Sequence, residues 1–143
     1  MTPRRTWFGL VLVALLAAGC GGGSDGPEKE TKAATVESVP GSELSRVTLT
    51  EDAARRLDVK LEAVAGGGEQ PTQIPYGAVL YDPQGRTWTF VNPEALTFVR
   101  QAITVDHIDG QVAFLSAGPP PGTKVVTQGA TEIYGAEVGV GDE

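Results

Sequence analysis

Closely spaced turn signals constrain this chain more than any other feature. From Ile74 onward they recur at Asp82-Pro83-Gln84-Gly85, Asn92-Pro93-Glu94, Asp109-Gly110 and Pro119-Pro120-Pro121-Gly122. Proline fixes φ and has no N–H to give, and glycine reaches positive φ, so such clusters end a strand instead of sitting inside one. Between them lie β-prone runs at 78–81, 87–91, 97–105, 111–115 and 124–127. Runs that short leave no room for a long helix, and their spacing predicts a small antiparallel sheet or barrel. In the second run Trp88 and Phe90 alternate with Thr87, Thr89 and Val91, which gives the two aromatic residues a common face. Asp109-Gly110 is the strongest hairpin signal.

Upstream, Val47-Thr48-Leu49-Thr50 alternates apolar and polar and reads as a strand. Thr50 precedes Glu51-Asp52-Ala53-Ala54, where a threonine oxygen can accept from free helical N–H groups and two acids face the positive end of the dipole. A short helix is expected there, followed by a strand over 59–64. Gly66-Gly67-Gly68 reads as flexible connector, and 65–73 as a stretch with no element of its own. A module of about 70 residues holds a marginal core, so the helix and the strand after it are expected to pack onto the later sheet. The fold class expected is therefore mainly β: a small antiparallel β-sheet or barrel module with one short helix, preceded by a disordered tether. The tether covers 20–45, opening Gly21-Gly22-Gly23-Ser24 and continuing through a charged stretch with little to bury. The strand–helix–strand segment covers 46–65 and the main β module 74–140.

The first residues decide where these parts work. Arg4 and Arg5 precede the apolar run Trp7 to Ala18, which is shorter than the about 20 residues that cross a bilayer. A basic start, a short apolar core and small residues before a processing point make an export signal over 1–19. Leu16-Ala17-Ala18-Gly19-Cys20 resembles the lipobox of bacterial lipoproteins, with Ala17 where leucine is usual. The resemblance implies that Cys20, the only cysteine, carries lipid and holds the chain on the extracytoplasmic face of the cell membrane. The formal charge of the whole chain is −7, and loss of the leader removes two arginines and no acid. An acidic chain without a basic cluster is a poor partner for nucleic acid.

Candidates for chemistry are few. His107 is the only histidine, so a His-rich metal site has no ligands, and no HExxH, CxxC, Walker loop or GxSxG occurs. Asp106, His107 and Asp109 form one compact polar cluster beside a hairpin turn and read as solvated. Asp82 and Glu94 sit in turns and carry no sign of an acid–base pair. Trp88, Phe90 and Phe98 suit a core better than a pocket. The expectation is a non-enzymatic protein with no catalytic residue, cofactor or metal.

The later half resembles the membrane-proximal module of periplasmic adaptor (membrane fusion) proteins of RND-type efflux pumps. Ile74-Pro75-Tyr76-Gly77-Ala78-Val79, Trp88-Thr89-Phe90-Val91, the run Phe98 to Val105, and Ser116-Ala117-Gly118-Pro119-Pro120-Pro121-Gly122-Thr123-Lys124-Val125-Val126 carry it. Pro119 replaces a usual leucine. Val47 to Val64 is similar to the adaptor segment just after the tether. The lipoyl-like and helical-hairpin domains that separate these pieces in the family have no counterpart in the short 65–73 stretch. The resemblance implies a lipid-anchored accessory protein that docks on an RND-type or ABC-type transporter or a similar membrane complex. The alternative is an envelope lipoprotein that binds cell-wall polymer or a small ligand through its sheet. Possible partner contacts are Pro119, Pro120 and Pro121, expected to stand exposed, Thr123 beside them, and Tyr134, expected on a sheet edge.

Overall fold

The computed structural model describes residues 32–139; the leader, Cys20 and the first part of the tether lie outside them. Eleven strands and two helices follow in chain order. They are β1 (Ala34–Ser38), β2 (Ser45–Leu49), α1 (Glu51–Arg56), β3 (Lys60–Ala63), β4 (Ala65–Gly67) and β5 (Gln70–Pro75), then a 3₁₀ turn at Tyr76–Ala78. The remainder are β6 (Leu80–Tyr81), β7 (Thr87–Glu94), β8 (Thr97–Ala102), β9 (Thr104–Asp109), β10 (Val112–Ala117), β11 (Lys124–Gln128) and α2 (Ala130–Glu137). The fold is mainly β, with two antiparallel sheets and no closed barrel among the described residues. The larger sheet runs β1-β2-β8-β7-β11-β3 with β6 also on β7, and the smaller runs β4-β5-β10-β9.

Alternation along the central strands explains the layering. On β7 and β11, Phe90 and Val126 point to one face of the large sheet, while their neighbours Val91 and Val125 point to the other. The first face, which also presents Val47, Leu49 and Phe98, is covered by α1 and α2 through Ala53, Ala130 and Ile133. The second is covered by the small sheet through Ile74, Ala113 and Leu115, with Val64 and Ile103 at the corners. Helices, large sheet and small sheet thus form three layers around two cores. Central strands buried on both faces need apolar residues at consecutive positions, which Val125-Val126 supplies.

Local signals place several elements as expected. Thr50 caps α1: its Oγ1 accepts from the Ala53 N–H at 3.1 Å. The helix ends where Asp58 turns left-handed at φ 48, letting Val59 N donate to Ala54 O and Asp58 N to Arg55 O. Asp109-Gly110 closes the β9–β10 hairpin, with Gly110 at φ 57.

Four expectations are corrected. Residues 34–38, assigned to the tether, form β1 and pair along their whole length with β2, from Ala34 opposite Leu49 to Ser38 opposite Ser45. The run 97–105 is two strands in different sheets: the chain crosses at Ile103, whose N–H donates to Thr87 O at 3.0 Å while its carbonyl accepts from the Thr87 hydroxyl at 2.7 Å. The segment after Gly129 is a helix, α2, in place of a sheet edge.

The fourth correction concerns 65–73, which is the β4–β5 hairpin and not a loose connector. Gly66 sits at φ +93, and a Cβ there would lie 2.1 Å from the backbone oxygen of Pro71. Gly68, at φ +64, has open space around it. Gly66→Ala is therefore expected to disrupt the hairpin, whereas Gly68→Ala costs only the left-handed strain of about 1–2 kcal/mol. Urea unfolding of the two variants checks this; a Gly66→Ala loss no larger than that of Gly68→Ala contradicts it.

Candidate functional site

The turn between β6 and β7 builds one wall of a cleft. Asp82 begins it, and Pro83 at the next position favours the bend. The Asp82 carboxylate, 7% exposed, accepts at Oδ1 from the N–H groups of Gln84 (3.0 Å) and Arg86 (2.9 Å). Its Oδ2 accepts from Arg86 Nε at 2.6 Å and from the Trp88 indole N–H at 3.0 Å. Burial pushes this carboxyl up, but the Arg86 N–H, the indole N–H and the guanidinium outweigh it and hold the pKa down to about 2. A turn that shows no acid–base pair in the sequence is thus fixed around a buried anion.

That arrangement carries a testable pH dependence. The unfolded carboxyl titrates near 3.8 and the folded one near 2, so acid protonates the unfolded chain first. The stabilisation is complete above about pH 4 and is lost as the pH falls through about 2. Thermal melting across that range should fall more steeply in the native chain than in Asp82→Asn; parallel curves contradict the assignment.

Trp88 lies on β7 two residues before Phe90 and on the same face, but beyond the reach of the core. Two guanidiniums stack on it: the Arg86 Cζ is 5.3 Å and the Arg100 Cζ 4.8 Å from the ring centre. Arg100 comes from β8, where it pairs across from Phe90. Its Cζ is also 5.0 Å from the Tyr134 ring, carried by α2. Glu137, one turn further along α2, approaches Arg100 Nε with Oε2 at 2.6 Å; the side chains are 3% and 11% exposed. The contact is an ion pair without the direction of a hydrogen bond, since neither atom completes one. The other Glu137 oxygen accepts from the Ser45 N–H at 3.2 Å and so ties α2 to β2. Asp82, Arg86, Trp88, Arg100 and Tyr134, with Ser42, Glu43 and Leu44 of the β1–β2 connection, line an open cleft of about 450 Å³.

The positions singled out in the sequence are dispersed. Cys20 lies outside the described residues. Pro119 is fully buried, against the expectation of exposure, because the loop after β10 folds over the second core. Pro120 and Pro121 are exposed, and a Cβ on Gly67 would lie 3.0 Å from the Pro121 ring. Thr123 is half-buried, its carbonyl accepting from Val64 N at 2.8 Å. Tyr134 lines the cleft on the helix side of the large sheet, the face opposite that of the prolines. Phe90 and Phe98 are core; Trp88 is not.

His107 is exposed on β9, its Nδ1 2.8 Å from Asp106 Oδ2 and its ring stacked on Phe114 at 4.4 Å. Among the described residues, no group of three or more His, Cys, Asp and Glu is placed to hold a metal ion. No helix among them is long and apolar enough to cross a membrane. Arg86, Arg100 and Glu137 escaped the sequence reading. Arg86 precedes the run that holds Trp88 and carried no signal of its own; Arg100 and Glu137 meet only through tertiary packing. Comparison with family models, curated proteins and solved structures finds no match.

Proposed function

We propose that this chain is a lipid-anchored, extracytoplasmic, non-catalytic accessory protein that docks on an RND-type or ABC-type efflux transporter or a similar membrane complex. Cys20 is its attachment point and the three-layer domain its docking body. The observation that supports this reading is the pairing of the two adaptor-like segments. β2 joins β8 with Val47 opposite Phe98, and β3 joins β11 with Leu61 opposite Val126. On this reading, the two segments that resemble the adaptor module pair with each other in one sheet. Pro120 and Pro121 and the exposed rings of Tyr76 and Tyr81 are the surface features suited to a protein partner.

A photo-crosslinker at Pro120 or Tyr81 of the anchored chain, in cells, tests the docking. The expected product joins the chain to a multispanning membrane protein. Products with peptidoglycan alone, or none while the protein is folded and abundant, overturn the reading in favour of an envelope-binding lipoprotein. That second reading draws support from the Trp88 cleft, a concavity of the size that small ligands occupy.

A further inference from the structure

We infer that the cleft beside Trp88 is a receptor for a carboxylate, presented by the C-terminus or an acidic side chain of a peptide. The inference stands whether or not the chain docks on a transporter, because it rests on how Arg100 is held. Trp88 and Tyr134 stack on the guanidinium, and Glu137 occupies its Nε side. What remains is the edge formed by the two Nη atoms, and no described residue accepts a hydrogen bond from it. A guanidinium has five N–H donors, and a side chain this deeply buried normally has its donors matched. Here they belong to a residue that lines an open cleft.

Arg86 lies over the same indole, though its side chain is 57% exposed. Asp82 fixes its Nε, and its Nη2 reaches Gln84 Oε1 only at 3.5 Å. Both guanidiniums are thus held at Nε by a carboxylate; the Nη edge of Arg100 is open, and that of Arg86 carries only the long contact to Gln84. The planar fork of an Arg Nη pair matches the two oxygens of a carboxylate or a phosphate. The walls decide between these. Asp82 and the exposed Glu43 line the same space, Glu137 stands behind Arg100 as its counter-charge, and the chain is acidic overall at −7. A doubly charged phosphate meets that repulsion twice over, whereas a single carboxylate meets it once and keeps the bidentate contact. The volume of the cleft leaves room for a peptide body beside the anchoring group.

The test uses the full chain carrying Trp7→Phe, which leaves Trp88 as its one indole. Its fluorescence is titrated with N-acetyl-alanyl-alanine, the amide of the same peptide, acetate and inorganic phosphate. The acid is expected to give a saturable change with Kd on the order of 1 mM, with the amide and phosphate weaker by about tenfold or more. Acetate binding as tightly as the peptide acid assigns the site to small free carboxylates and overturns the peptide as its occupant. Arg100→Lys keeps the charge beside Glu137 but loses the fork, and is expected to lose the response while melting normally. Should that variant fail to fold, the acid–amide comparison on the otherwise native chain decides alone. Equal responses to acid and amide, tighter binding of phosphate, or no response to the acid overturns the proposal.

Discussion

Phe90→Ala is expected to destabilise the domain by about 3–5 kcal/mol, a loss comparable with the whole stability of many small domains, about 5–15 kcal/mol. Phe90 is completely buried at the centre of the large sheet, where it joins the helix-side core formed by Val47, Leu49, Phe98, Val126 and Ile133. The neighbours belong to strands and a helix fixed by other contacts, so they collapse only partly into the space. Part of the cost is lost transfer energy and part is the cavity that remains. Urea unfolding should show a lower midpoint with an unchanged slope, since the surface exposed on unfolding is nearly the same. A loss under about 1 kcal/mol would mean that the core repacks freely.

The second large effect concerns Arg100 and Glu137. Arg100→Met alone is expected to cost about 3–5 kcal/mol, because it leaves Glu137 buried with no counter-charge. Replacing both by Met removes two desolvated charges together and should restore most of that loss, since apolar replacements of such pairs are often neutral or stabilising. Restoration stays incomplete: the Ser45 N–H loses the oxygen that accepts from it at 3.2 Å. A double-mutant cycle in urea measures the coupling. If the single variant loses little, the pair is not desolvated; if the double variant loses as much as the two single ones added, the side chains are not coupled and the account of the pair fails.

The elements that the sequence reveals are those with local causes. Thr50 caps α1 through a bond to a residue three positions on, and Asp109-Gly110 meets the backbone demand of its own turn. β1 is different: Thr35-Val36-Glu37 has one apolar residue and is a strand because β2 lies beside it. The crossing at Ile103 has no glycine or proline to mark it, since each half of the run is β-prone and only the burial of Ile103 against the second core separates them. α2 was hidden by Gly129 and Gly135, yet Ala130 and Ile133, three apart, hold it to the sheet. The site was less legible than the fold. Asp82 in a turn looks like any solvated aspartate until the Trp88 indole and Arg86 close over it, and no spacing rule brings a β8 arginine to an α2 glutamate.

The intact mass of the protein purified from the membranes of an expressing bacterium tests the account most directly. The chain is expected to begin at Cys20, with a mass increment matching acyl chains, and Cys20→Ser should leave an unprocessed or released protein. A mature chain that begins elsewhere, with Cys20 present as a free thiol, would contradict the anchor and with it the docking role built upon it.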